Sequence, residues 1–337
     1  MGDVVFRASG AVVAAACLLL AVPAQAMADD GEDQVFTFKD PRITESSGLA
    51  VSPTHDGVYY THNDSSAAPT FYAVDGKGRT KATFRVRGAQ ARDWEAMAAT
   101  KDPATGRGVL WFADIGDNLD GAWPDVSVYR VMEPQTLKDA TLPATRYRFR
   151  YADGGRNAEG IMVNPRTGRL YVVSKEFSGS VYAAPKKLRT DKTNILRKVA
   201  SAPLMATDAA YAPDGSSYVI RTYFSATLYR PSGETIAKVS MPELKQAESI
   251  AYTADGKALL TGTEGSRSPV YRVPLPAGAT PTPSTSAKTS IPATPAAADT
   301  GQARAAEGGF TAKNILIWLA AAATALGTIT FIARRTR

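Results

Sequence analysis

Five short segments of this chain open on an oxygen-bearing side chain and continue with small and apolar residues. They are Ser47-Gly48-Leu49-Ala50, Glu95-Ala96-Met97-Ala98, Glu159-Gly160-Ile161-Met162, Asp208-Ala209-Ala210-Tyr211 and Glu248-Ser249-Ile250-Ala251. Set side by side, their leading positions form a ring, with Glu45 and Asp93 two residues earlier in their own segments. The runs that follow carry His62-Asn63-Asp64, Asp114, Lys175-Glu176, Arg221 and Glu264 back to the same side. So many carboxylates at short range cannot all stay ionised without counter-charge, so the group must attract a cation or raise the pKa of its members. The expected metal ligands are Glu95, Glu159, Asp208 and Glu248, and the expected pocket lining is Glu45, Asp64, Asp93, Trp94, Asp114, Lys175, Glu176, Arg221 and Glu264. Calcium is the expected ion, because the ligands on offer are oxygens, with two histidines and, outside an apolar leader, no cysteine. In the competing arrangement the same acids bond backbone amides or pair with Lys175 and Arg221.

Other chemistry is less well supplied. Asp114-Ile115-Gly116-Asp117-Asn118-Leu119-Asp120 is rich in acids but lacks the ligand order, glycine and closing Glu of an EF-hand, so it reads as a polar loop as readily as a second cation site. Two carboxylates across the pocket would suit acid–base cleavage of a glycoside, with no pair singled out. No Gly-x-Ser-x-Gly elbow is present, and His62 has no recognisable Ser and Asp partner. Trp94 and Trp123 offer faces for a sugar or base, or simply packing.

The elements that would position these groups are strands. Between Gln34 and Pro276, β-branched and aromatic runs such as Val58-Tyr59-Tyr60-Thr61 and Leu170-Tyr171-Val172-Val173 alternate with Gly, Asp and Pro turns, which predicts an all-β domain. One unit recurs five times: a small-residue strand, a turn and a second strand. The turns end on Gly57, Gly106, Gly168, Gly215 and Gly256, each expected to supply the positive φ of a tight hairpin. Third strands are expected at 70–74, 126–131, 180–183, 227–230 and 269–273, and outer strands at 81–86, 145–151, 195–200 and 234–239. The fifth unit lacks an outer strand, which Val35-Phe36-Thr37-Phe38 can provide, closing a five-bladed β-propeller without an open edge. A β-sandwich and six blades are the alternatives. With Asp93-Trp94-Glu95-Ala96-Met97-Ala98 followed by Ala113-Asp114-Ile115-Gly116-Asp117-Asn118, residues 34–276 resemble the bacterial extracytoplasmic β-propeller proteins of the WD40-like or NHL-like class. That resemblance implies an architecture, not an activity. No Trp-Asp dipeptide ends the third strands.

The chain's ends predict where it resides. Arg7, the apolar run Ala8 to Ala24 and the small residues Ala24, Ala26 and Ala28 have the layout of a signal peptide over 1–28. Cys17, the one cysteine, lies inside it, so the mature chain is expected to have no thiol. Residues 277–312 are dominated by Pro, Thr, Ser, Ala and Gly and read as a disordered stalk. Residues 313–333 read as a membrane-spanning helix, and Arg334, Arg335 and Arg337 should hold the 334–337 tail in the cytoplasm. The expectation is a single-pass cell-membrane protein with residues 34–276 outside the cell. Net charge is +7 overall, but residues 29–276 hold 32 of the 39 basic and 29 of the 32 acidic residues, so nothing points to nucleic acid. The function expected is a ligand-binding or interaction module for a small molecule, glycan or protein. The alternative is a calcium-assisted hydrolase of phosphoesters or glycosides.

Overall fold

The computed structural model describes residues 33–64, 68–119 and 121–279. Cys17, the expected signal peptide, the membrane span, the tail and all but the first three stalk residues lie outside these. Among the described residues no helix is long and apolar enough to cross a membrane.

The described chain is built of strands in the order the repeats suggest. After β1 (Asp33–Thr37) come β2 (Ser46–Val51), β3 (Val58–Asn63), β4 (Thr70–Asp75) and β5 (Thr80–Arg87), each antiparallel to the one before from β3 onward. A second four-stranded unit follows with β6 (Trp94–Lys101), β7 (Gly108–Asp114), β8 (Val126–Met132) and β9 (Ala140–Tyr151). The third is β10 (Ala158–Val163), β11 (Leu170–Ser174), β12 (Ser180–Ala183) and β13 (Asn194–Ser201). The fourth is β14 (Ala206–Tyr211), β15 (Tyr218–Thr222), β16 (Ser225–Tyr229) and β17 (Thr235–Ser240). The last unit has β18 (Ile250–Tyr252), β19 (Ala258–Gly262) and β20 (Pro269–Pro274), and β1 completes it by pairing antiparallel with β20, Asp33 opposite Arg272 and Thr37 opposite Pro269.

The first strands of successive units pack on one another, β2 on β6, β6 on β10, β10 on β14, β14 on β18 and β18 back on β2, so the units form a closed ring. This is a β-propeller. Small residues make the close approach possible: a Cβ on Gly160 would lie 3.1 Å from the Ala209 amide nitrogen of the next inner strand. The five turn glycines have φ of 66–68°, the left-handed conformation that the hairpins require.

The apolar core is divided into wedges, one between each pair of neighbouring units. Phe71 and Phe84 of the first unit meet Trp94, Phe112 and Tyr129 of the second, and Phe36, Phe38 and Leu260 of the closing unit meet Leu49 and Tyr72 of the first. Burying each such ring stabilises the fold by roughly 1.5–3 kcal/mol. β9 is longer than its expected 145–151. Its Ala140–Pro143 stretch runs parallel to β5, and Phe149–Tyr151 runs parallel to β13, so one outer strand joins three units.

Candidate ligand- and cation-binding mouth

At the starts of four inner strands the ladder slips by a residue or more. Ser47 and Gly48 fall between the paired positions Ser46 and Leu49, Glu95 between Trp94 and Ala96, Glu159 between Ala158 and Gly160, and Thr207 between Ala206 and Asp208. A bulge bends the strand and re-aims a side chain. The mouth residues are thus set by irregularity at the strand starts.

Asp64, Asp93 and Glu95 come together, each offering a carboxylate oxygen within 4.8 Å of the others. Their positions follow from local bonding. The Asp64 amide donates to Glu45 O at 2.9 Å, and the Asp93 amide donates to Asp114 Oδ1 at 2.9 Å. Gly116 lies against the other side, where a methyl group would collide with Glu95 Oε1 and Asp93 Oδ2. Burial, then the charges of Glu159, Asp64 and Asp93, push the Glu95 pKa well above the usual carboxylate range. A divalent cation would remove that penalty. An all-carboxylate donor set without sulfur or imidazole fits a hard ion such as calcium.

The four acids expected to share one metal divide their tasks. Asp208 is fully buried; its Oδ1 accepts from the Ala209 amide at 2.7 Å and its Oδ2 from the Ile250 amide at 2.8 Å, which stitches the fourth unit to the fifth. Burial raises its pKa, against those two bonds and the nearby Arg221. Glu159 Oε1 is 2.8 Å from Lys175 Nζ. Burial outweighs that attraction and lifts Glu159 to about 7, while Glu159 and Glu248 overcome the effect of burial on Lys175 and hold it protonated. Glu248 is buried beside Tyr223, with its pKa raised by burial. Of the expected set Glu95, Glu159, Asp208 and Glu248, Glu95 joins Asp64 and Asp93 in the converging triad, and the other three are engaged by the partners just described.

Of the expected lining, Glu264 stands at the mouth with its pKa lifted to about 7 by burial and by Glu248, Asp64, Glu45 and Glu159. Glu45 is at the exposed rim. Three others are engaged by neighbours within the fold. Trp94 is 1% exposed, stacked on Phe112 at 5.0 Å, with its indole donating to Gln90 O, so no face is left for a ligand. Glu176 turns aside to Arg156 and Ser174. Arg221 is fully buried beneath the mouth as counter-charge to Asp208 and Glu248. Asp114 is buried and holds Asp93 in place. In the acid-rich loop, Asp117 spends its oxygens on the Leu119 and Trp123 amides. His62 is encased and its pKa lowered by burial to about 4, so it is neutral near pH 7. Sequence reasoning missed Tyr223 and Gly116, whose roles depend on neighbours far along the chain.

A cavity of about 480 Å³ lies at the opposite, turn end of the inner strands, lined by Leu49, Met97, Ala210, Ile250 and the turn residues Pro53, Pro165 and Pro213. Apart from Asp56 and Lys101 it has no charged lining, unlike the acid-lined mouth.

Fold and site together define a β-propeller with an acid-lined mouth. No family model matches the chain, and no curated protein matches it. Among solved structures it is similar to a gluconolactonase from Xanthomonas campestris, 16% identical over 65% of this chain and 69% of that one, with a TM-score of 0.42. That likeness is too loose to bring any property across.

Proposed function

We propose that this chain is a five-bladed propeller held on the outer face of the cell membrane by a C-terminal span, and that it acts as a ligand-binding module whose mouth holds calcium on Asp64, Asp93 and Glu95. The convergence of those three carboxylates against Gly116 carries the reading. Calcium bound only by the folded state stabilises it by mass action, about 2.7 kcal/mol at a hundred times Kd. Terbium should replace calcium and be sensitised by the neighbouring Trp94. In the full-length protein, Asp93→Asn should abolish both the calcium-dependent rise in Tm and the terbium emission, and a wild-type Tm indifferent to calcium and chelator rules the reading out. The ring of inner strands and its closure by β1 support the count of five blades. For the anchor, protease added to intact cells should release the propeller while a tag after Arg337 stays protected.

One observation favours the hydrolase alternative. Burial and neighbouring carboxylates push the Glu159 and Glu264 carboxyls up to about 7, where such a group serves best as acid or base near neutral pH. Turnover of a phosphate ester or glycoside that Glu159→Gln and Glu264→Gln abolish would establish it.

A further inference from the structure

Part of the mouth is not used by the cation site. Glu159, Glu248 and Glu264 stand there with Tyr223, whose ring lies 5.1 Å from Lys175 Nζ. Lys175 is engaged by Glu159. Glu248 is 5% exposed, and its Oε2 is buried with no hydrogen-bond partner. A buried acceptor left without a donor is costly, and a ligand that supplies the donor recovers that cost.

Around these groups three apolar side chains project into solvent: Phe177 at 84% exposure, Phe224 at 88% and Leu204 at 54%. Phe177 is in the loop from β11 to β12, Leu204 in the loop leading into β14, and Phe224 between β15 and β16, all at the strand ends that carry the acids. The first two loops are bound together, the Met205 amide to Glu176 O at 2.9 Å and the Ala202 amide to Gly179 O at 2.8 Å. The Phe224 ring is 6.4 Å from Tyr223. Clustered exposed apolar groups mark a contact surface.

We propose that this part of the mouth receives a basic side chain of a protein partner, with apolar residues flanking it resting on Phe177, Leu204 and Phe224. Charge complementarity selects the sign. Lys175 and Arg221 set two positive charges against Glu159, Asp208 and Glu248, so one of those carboxylates together with Glu45 and Glu264 remains in excess even with a divalent cation on the neighbouring triad. A neutral ligand leaves that excess standing and an anion worsens it. An ammonium brings charge and three donors to Glu248 and Glu264 at once. The proposal rests on the same mouth as the function above and adds the class of its ligand.

Calorimetry on the full-length protein in detergent, with the tripeptide acetyl-Leu-Lys-Leu-amide as probe, tests it. The lysine peptide should bind, while peptides with norleucine or glutamate at the centre should bind at least about tenfold more weakly. Glu248→Gln and the surface variant Phe224→Ala should each weaken the lysine peptide by a similar factor. Equal binding of the norleucine peptide, no binding of the lysine peptide up to millimolar concentration, or indifference to both variants overturns the proposal. So does rim-dependent binding of phosphatidylcholine vesicles that Glu248→Gln leaves unchanged, which would assign the rim to lipid. Terbium emission read on the same samples separates the two readings. Peptide binding without terbium binding removes only the calcium site, and the converse removes only this proposal.

Discussion

Glu264 carries a carboxyl whose pKa stands at about 7 in the folded protein against 4.5 for the free group. Such a group holds its proton preferentially when folded, so the stability it contributes is fully present below pH 4.5 and is lost as pH rises through about 7. Glu159 has the same sign and the same window. The cation-free protein should therefore melt at a lower temperature at pH 7.5 than at pH 5, and Glu264→Gln should reduce the difference, as melting curves across that range can show. Saturating calcium should reverse the trend, because it binds the ionised mouth. Asp208 makes a different prediction. Asp208→Ala strands two backbone amides and removes one of the two carboxylates whose charge Arg221 meets, and urea unfolding should show a loss of roughly 3–5 kcal/mol. That acids would gather at the inner-strand starts was readable from their place in the repeat. Which of them would turn to amides, to Lys175 or to a common centre was not, because it depends on bulges and on partners from other units.

The turns were the most legible elements, since a tight hairpin needs a positive φ and Gly supplies it at every repeat. At Gly168, where φ is +66° and no neighbouring atom comes within 4 Å of an added Cβ, Ala should fit sterically and still cost about 1–2 kcal/mol of backbone strain. Asn at the same position should recover part of that loss, which chemical denaturation would resolve. The outer strands were harder to read. β9 begins at Ala140, ahead of the expected Thr145, because its first residues gain ladder bonds from β5, and such cross-unit pairing leaves no local pattern. Trp94 shows a similar limit: its position next to two acids suggested a ligand platform, whereas Phe112 and Tyr129 from strands further along surround it.

Across the whole molecule the core is a cycle of wedges, each shared by two units, so no unit completes its own interior. The recurring strand-and-turn unit was visible in the sequence, as was the shortage of an outer strand in the last unit that β1 makes good. Removing residues up to Phe38 should strip the wedge of Phe36 and Phe38 and bare the edge of β20. The truncated protein is expected to associate through that edge, which light scattering would detect. The pairing of β1 with β20 also bears on how the protein is made. β1 is the first of the described strands to leave the ribosome, and its partner is the last. Through almost the whole of elongation Val35 and Phe36 wait on a strand that has nothing to pair with. The ring can be fastened only once translation has passed Pro274, so a nascent chain arrested before Pro269 should remain open to protease at both ends of its unfinished circle.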